Sequence, residues 1–239
     1  MNGHVPDWAS VEPAGGERHL PVYLLIDRSG SMEGEPLRQV MDGLALFKQE
    51  VSSDPFARDT VRIGVITFSD KAELVTGGLL SVQDFQPPHI QAGGVTRLDL
   101  AFAVLRESIG RHVVRPVKGS RKGDWKPIVF LLTDGRPTDE RGRPADALWR
   151  SAREALMQPA GGLPRPAALV PVGCGPEIEN ATLKEISTGV AFRLGVSDAS
   201  FASLFLFITQ SITSSVAPGG NPSDPFAGIS TPQDVIRIP

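Results

Sequence analysis

Short apolar runs alternate along the chain with segments whose apolar residues recur every three or four positions. Uninterrupted runs, which are typical of buried strands, cover residues 20–27, 61–68, 127–133 and 167–172. Helical periodicity covers residues 36–51, 98–109, 144–157 and 201–212. A short helix near Leu183 and a short strand near Phe192 complete the pattern. Strands that alternate with helices predict a doubly wound α/β domain with a mostly parallel sheet, right-handed crossovers and helices on both faces.

The same pattern predicts where the sheet and the domain end. Residues 127–133 form the most apolar run, so we expect a central strand there, whereas residues 71–75 are expected to return as one antiparallel edge strand. Residues 1–19 are predicted to be a flexible arm, residues 20–216 the domain, and residues 217–239 a tail that follows a Pro- and Gly-rich breaker. The tail ends in an apolar stretch, residues 235–239. Disorder is the expectation for such a terminus, and docking on the domain or on a sheet edge is the alternative.

Composition excludes several classes of protein. The chain has 239 residues and a formal net charge of only -3, so no basic field draws it to nucleic acid or to anionic lipid. A single cysteine, Cys174, excludes an internal disulfide, and we expect it to be a buried structural thiol. No secretory signal and no apolar stretch of membrane-spanning length is visible, which leads us to expect a cytoplasmic protein that contacts no membrane.

Three short segments carry polar side chains where strands are predicted to end. Asp27, Ser29 and Ser31 directly follow the first strand, Thr96 precedes the second long helix, and Asp134 follows the most apolar strand. In open α/β sheets, ligands bind at the carboxyl ends of the strands, where the strand order reverses. We therefore expect the three segments to meet in one crevice.

The side chains in these segments predict the kind of ligand. Two carboxylates and three hydroxyls form a set of oxygen donors that suits Mg²⁺, Mn²⁺ or Ca²⁺ better than zinc. If one or both carboxylates act through water, the ion keeps an open position that an outside carboxylate can fill. Each residue alone could instead be an ordinary helix N-cap, but all three segments in this order favour a metal site.

These segments resemble the metal-ion-dependent adhesion site of von Willebrand factor A domains. The resemblance rests on Asp27-x-Ser29-Gly-Ser31, the downstream Thr96 and the sequence Thr-Asp-Gly around Asp134, and it covers about residues 20–216. Four further stretches resemble the bacterial TerY group, which is associated with tellurium resistance and stress response: residues 20–27, 34–36, 123–127 and 133–139.

The resemblance implies a non-catalytic, metal-dependent docking module whose partner presents an Asp or Glu side chain. It also implies a protein phosphatase or kinase of the same system as the candidate partner. The sequence departs from the family at Asp99, where a small residue is expected three positions after Thr96. A partner is expected to contact the rim of the site, at Arg28, Glu33, Gly94 and Asp99.

Two other interpretations were open at this point. A Mg²⁺-dependent phosphatase or phosphotransferase of the haloacid dehalogenase type also carries an Asp after its first strand, but it needs a second acid two residues later, where this chain has Ser29. The other alternative is a passive scaffold in which the site stays empty and an arginine-rich stretch, residues 136–153, binds the partner. The oxygen donors favour the docking module, and we expect no catalytic residue.

Overall fold

The computed structural model describes residues 18–117, 122–195 and 200–239, so nearly all of the predicted arm lies outside the described residues. The strands are β1 Leu20–Asp27, β2 Val61–Phe68, β3 Ala72–Leu74, β4 Leu80–Ser81, β5 Ile128–Thr133, β6 Ala168–Gly173, β7 Phe192–Leu194 and β8 Val235–Arg237. The helices are α1 Glu35–Ser53, α2 Pro55–Thr60, α3 Leu98–His112, α4 Asp146–Met157, α5 Asn180–Ile186 and α6 Ser200–Val216.

The strands form one mixed sheet in the order β3-β2-β1-β5-β6-β7-β8, and β4 also pairs with β2. The five strands β2, β1, β5, β6 and β7 run parallel, whereas β3 and β4 are antiparallel to β2 and β8 is antiparallel to β7. The predicted α/β fold is confirmed. From β1 the chain proceeds first to β2 on one side and later to β5 on the other. The carboxyl ends of β1 and β5 therefore form the switch point at which ligands bind in such sheets.

Both faces of the sheet are buried, which explains why its strands are apolar at nearly every position. Leu24 of β1 and Phe130 of β5 pack on the face that α1 and α6 cover. Leu25 and Leu131, one position further along, pack on the opposite face against α3 and α4. β5 lies between β1 and β6, as its composition predicts. This rigid centre holds the two strand ends that carry the site.

The end of the chain departs from the expected disorder. Residues 235–237 form β8, which pairs with β7, and the Ile238 amide donates to the Ala191 carbonyl at 2.9 Å. The Ile238 side chain is buried with Ile178, Leu183 and Ala191. Burial of apolar side chains offsets the entropy of ordering a terminus. The end of the predicted tail is therefore the eighth strand of the sheet.

Candidate metal site at the carboxyl ends of β1 and β5

Hydrogen bonds bring the three predicted segments together. The Gly30 amide donates to the Gly94 carbonyl at 3.0 Å, which joins the loop after β1 to the loop before α3. The Ser31 hydroxyl donates to Asp134 Oδ1 at 2.8 Å, which joins the first loop to the loop after β5. A Cβ atom added to Gly135 would lie 3.2 Å from Thr96 Oγ1 and 3.7 Å from Ser31 Oγ. Glycine at this position therefore leaves room for two hydroxyl groups that approach the same point.

Asp27 is the buried anchor of the site. Its side chain is inaccessible to solvent and accepts two hydrogen bonds, from the Ser29 amide to Oδ1 at 2.8 Å and from the Thr133 hydroxyl to Oδ2 at 2.6 Å. Burial raises the pKa of Asp27 to about 6, although these hydrogen bonds oppose the shift. A carboxylate held in this way gains stability from a nearby cation.

Ser29, Ser31 and Asp134 continue from this anchor toward solvent. The two serine oxygens are 3.2 Å apart, Ser29 is buried, Ser31 is exposed and Asp134 is half-buried. Partial burial raises the pKa of Asp134, and the nearby negative charge of Glu177 adds to the effect. These oxygen atoms form a polar depression, called the pit below. Asp27 and Ser29 lie at its buried floor, and Ser31 lies at its solvent-exposed mouth.

Thr96 completes the pit from a loop that neighbouring segments hold. Its amide donates to Thr138 Oγ1 at 3.1 Å, and its carbonyl accepts from the Thr138 amide at 2.9 Å. The adjacent amide of Val95 donates to Asp70 Oδ1 at 3.0 Å. Gly94 has a φ of 84° and lies against the Asp70 carboxylate, so a side chain there would be both strained and obstructed.

The predicted rim residues have different surroundings. Glu33 and Gly94 are exposed, and each lies two positions from a predicted ligand, Ser31 or Thr96. Arg28 is half-buried and donates to the Gln91 carbonyl at 3.2 Å. Asp99, by contrast, forms a two-point ion pair with Arg97 at 2.7 and 2.9 Å, and both side chains are largely buried. The acid that departs from the family pattern is thus neutralised by the residue that precedes α3.

The donor set is dominated by hydroxyl groups. In the part of the chain that the structure describes, no group of three or more His, Cys, Asp and Glu side chains is placed to hold a metal. The predicted ligands fit that finding, since they include only two acids. Sequence reasoning assigned no supporting role to Thr133, Asp70 and Thr138, because each acts through a contact with a distant segment.

Two other sequence features have structural roles. Arg150 of the arginine-rich stretch pairs with Glu185 at 2.5 and 2.8 Å, and Arg153 donates to the carbonyls of Ile186 and Ser187 at 2.7 and 2.8 Å. These contacts fasten α4 to the end of α5. Cys174, expected to be buried, is partly buried and packs against the core, and desolvation raises the pKa of its thiol well above its usual range.

The fold and the convergence of the three loops define a von Willebrand factor A type domain. A sequence model of this family, described as von Willebrand factor type A domain, matches residues 22–205. That match covers most of the chain, and the chain therefore belongs to the family. No curated protein matched the chain. None of the helices in the described ranges is long and apolar enough to cross a membrane.

Solved structures share the fold at low sequence identity. A von Willebrand factor type A protein from Catenulispora acidiphila is 17% identical with a TM-score of 0.60, over 82% of this chain and 43% of that one. The ArnB paralog VWA2 from Sulfolobus acidocaldarius is 17% identical with a TM-score of 0.52, over 81% and 45%. Proximal thread matrix protein 1 from the mussel byssus was solved with zinc in its MIDAS motif, the metal-ion-dependent adhesion site. It is 20% identical with a TM-score of 0.54, over 81% of this chain and 48% of that one. The matched region thus spans less than half of each of these structures.

Proposed function

We propose that the domain binds one divalent metal ion through Asp27, Ser29, Ser31, Thr96 and Asp134, and that the ion docks a carboxylate of a partner protein. Mg²⁺ is the favoured ion, and Mn²⁺ or Ca²⁺ are alternatives. The single observation that carries the proposal is the convergence of these oxygen donors from three loops at the switch point of the sheet. The zinc-occupied MIDAS motif of the mussel protein shows that a domain of this fold can hold a divalent ion.

The spacing of the oxygens supports one shared ion. Ligands at adjacent corners of an octahedron are about 2.8–3.0 Å apart for metal–oxygen distances of 2.0–2.1 Å, and about 3.3–3.7 Å apart for the longer bonds of Ca²⁺. The Ser29–Ser31 and Ser31–Asp134 oxygen pairs, which are hydrogen-bonded, are separated by 3.2 and 2.8 Å. These oxygens are therefore close enough to contact the same divalent ion.

The charge of the site supports docking of an acid. Both oxygens of Asp27 already accept hydrogen bonds, which favours contact with the ion through water. The hydroxyl ligands are neutral, so the ion keeps positive charge toward the open mouth. A partner's Asp or Glu offers the hard anionic oxygen that such an ion prefers.

The same geometry disfavours the phosphatase alternative. A nucleophilic aspartate must reach its substrate, whereas Asp27 is inaccessible to solvent and has a partner on each oxygen. The general acid expected two positions later is absent, because Ser29 occupies that position. These two features favour the docking module over this type of enzyme. Metal titration combined with a generic phosphatase assay distinguishes the interpretations, since turnover would support the enzyme.

The cellular setting of the proposal comes from the sequence resemblance alone. The stretches that resemble the TerY group favour a cytoplasmic role in a bacterial stress or tellurium-resistance system. The partner would then be a protein phosphatase or kinase of the same system that presents an Asp or Glu. This part of the proposal is tested separately from the metal site, because a metal-dependent partner of another kind would leave the docking chemistry intact.

The test compares binding of such a purified phosphatase or kinase in Mg²⁺ and in EDTA, by surface plasmon resonance. Thr96→Ala and EDTA should weaken binding to similar degrees, whereas moderate salt should weaken it less, since a direct metal–carboxylate bond is screened less than exposed charge pairs. Thr188→Ala is the control. Thr188 contacts the amino end of β6, away from the site at the carboxyl ends of the strands, so this variant should bind the partner normally. Equal binding in EDTA would show that docking does not use the metal.

A further inference from the structure

Thr138 forms two hydrogen bonds with the backbone of Thr96. The Thr138 hydroxyl accepts from the Thr96 amide at 3.1 Å, and the Thr138 amide donates to the Thr96 carbonyl at 2.9 Å. Thr138 lies four residues after Asp134, in the same loop. The contact therefore fixes the distance between two of the three ligand-bearing segments, through the backbone of the proposed ligand Thr96 and through Thr138, which is not itself a proposed ligand.

The loop around Thr96 depends on such support. α3 starts only at Leu98, and no side chain caps its first turn, so helical hydrogen bonding does not fix Thr96. The preceding residues Gly93 and Gly94 have φ values of 150° and 84°, outside the helical region, and they are held by bonds from the Gly93 amide to the Arg28 carbonyl and from the Gly30 amide to the Gly94 carbonyl. The position of the Thr96 hydroxyl is consequently set by contacts from outside its own segment.

Thr138 itself lies at the start of a turn that several hydrogen bonds hold in place. It forms a β-bridge with Pro144, and the Asp139 carboxylate accepts from the Arg143 amide at 2.9 Å and from the Arg143 side chain at 2.8 Å. The Asp139 amide also donates a hydrogen bond to the Arg143 carbonyl at 2.8 Å. The chain between residues 138 and 144 is thus closed on itself and presents Thr138 at a fixed place.

We propose that Thr138 is a positioning residue that preorganises the Thr96 hydroxyl for a small octahedral ion and so sets the preference of the site for Mg²⁺ over Ca²⁺. The proposal rests on the proposed function. Mg²⁺ requires nearly ideal ligand positions at 2.0–2.1 Å, whereas Ca²⁺ accepts six to eight ligands at 2.3–2.6 Å in flexible geometry. If the loop that carries Thr96 loses its hydrogen bond to the Thr138 hydroxyl, the affinity for Mg²⁺ should therefore fall more than the affinity for Ca²⁺.

The test uses Thr138→Val, which keeps the β-branched shape and the backbone bond but removes the acceptor for the Thr96 amide. Thr138→Ser restores that acceptor and should recover binding. Thr188→Val is a matched control, because Thr188 accepts from the Leu169 amide at 2.9 Å and donates its own amide to the Leu169 carbonyl at 3.1 Å, at the other end of the sheet. All proteins are titrated calorimetrically with Mg²⁺ and with Ca²⁺.

We expect Thr138→Val to weaken Mg²⁺ binding about 10- to 100-fold, which is the usual cost of losing a residue that orients a ligand. Ca²⁺ binding should weaken less, so the Mg²⁺/Ca²⁺ affinity ratio falls, while Thr188→Val changes neither. Equal loss for both ions, or no recovery in Thr138→Ser, would overturn the positioning role.

A second measurement does not depend on metal. Hydrogen exchange of the Thr96 amide in EDTA should accelerate in Thr138→Val and return to the original rate in Thr138→Ser. An unchanged exchange rate would show that the Thr138 hydroxyl does not hold the Thr96 amide. If the unaltered chain binds neither ion while the exchange result holds, the Thr138–Thr96 contact is structural only, and it is the proposed metal function that fails.

Discussion

The hydroxyl of Thr133 donates a hydrogen bond of 2.6 Å to Oδ2 of Asp27, and this bond joins the carboxyl ends of the two central strands. Both residues are buried, and each lies at the last position of its strand. The bond uses one oxygen of the anchor carboxylate, while the Ser29 amide uses the other. The sheet itself therefore organises the floor of the candidate site.

Replacement of Asp27 should separate metal binding from folding. Asp27→Asn keeps the size and one acceptor oxygen but removes the charge, so we expect calorimetry to show loss of most Mg²⁺ affinity. Because Asp27 is buried and its pKa is raised, its charged form destabilises the metal-free fold. In EDTA the variant should therefore unfold at the same or a higher denaturant concentration. Unchanged Mg²⁺ binding by Asp27→Asn would remove this residue from the site.

Asp27 also predicts how stability depends on pH. Its pKa rises from 3.8 in the unfolded chain to about 6 in the folded one, so the folded state binds more protons between these values. This group's contribution to stability is present below pH 3.8 and is lost as pH rises to about 6. Mg²⁺ affinity should show the opposite trend and fall as pH drops through 6. Denaturant titrations in EDTA, with Asp27→Asn as the reference, measure the first effect, and calorimetry measures the second.

Leu131 tests the centre of the sheet. It is fully buried in β5 between β1 and β6, and it packs against α3 and α4. Leu131→Ala should lower the free energy of unfolding by about 2–5 kcal/mol, through lost burial and the cavity left behind. A loss well below 1 kcal/mol in denaturant titration would contradict a central position for this strand.

The last strand makes its own prediction. The Ile238 amide donates to the Ala191 carbonyl, and its side chain is buried beside Ile178 and Leu183. Hydrogen exchange at Ile238 should therefore be slow, and Ile238→Ala should accelerate exchange across β7 and β8. The outward-facing Ile236, which is 54% exposed, offers a control, because Ile236→Ala should have little effect. Exchange at Ile238 as fast as in an unstructured peptide would contradict the pairing.

Long periodic segments made the fold predictable from the sequence. The two strands Leu20–Asp27 and Val61–Phe68 have the predicted bounds, and α4 and β6 differ from prediction by only one or two residues. Two of the short elements were missed. α2 has six residues and β4 has two, which is too few for a period to show, although Asp54 caps α2 by accepting from the Ala57 amide. β8 was ambiguous because its burial depends on β7, more than 40 residues earlier.

The candidate site could be predicted only in part. Asp27, Asp134 and the hydroxyl residues are recognisable because a strand end precedes them or a helix follows them. The contact of Thr138 with Thr96 and that of Thr133 with Asp27 join residues 42 and 106 positions apart. No local pattern encodes such pairs, because their proximity arises from strand order. The ion pair between Asp99 and Arg97 is equally a product of side-chain orientation.

The metal site is tested most directly by a crystal of this chain soaked in MnCl₂ and measured for anomalous scattering of manganese. We expect one strong peak in contact with Ser29, Ser31 and Thr96, with Asp27 and Asp134 bound directly or through water, and no such peak in Thr96→Ala or Asp27→Asn crystals. A peak elsewhere, or an empty pit at saturating manganese, would contradict the assignment of this site as a metal centre.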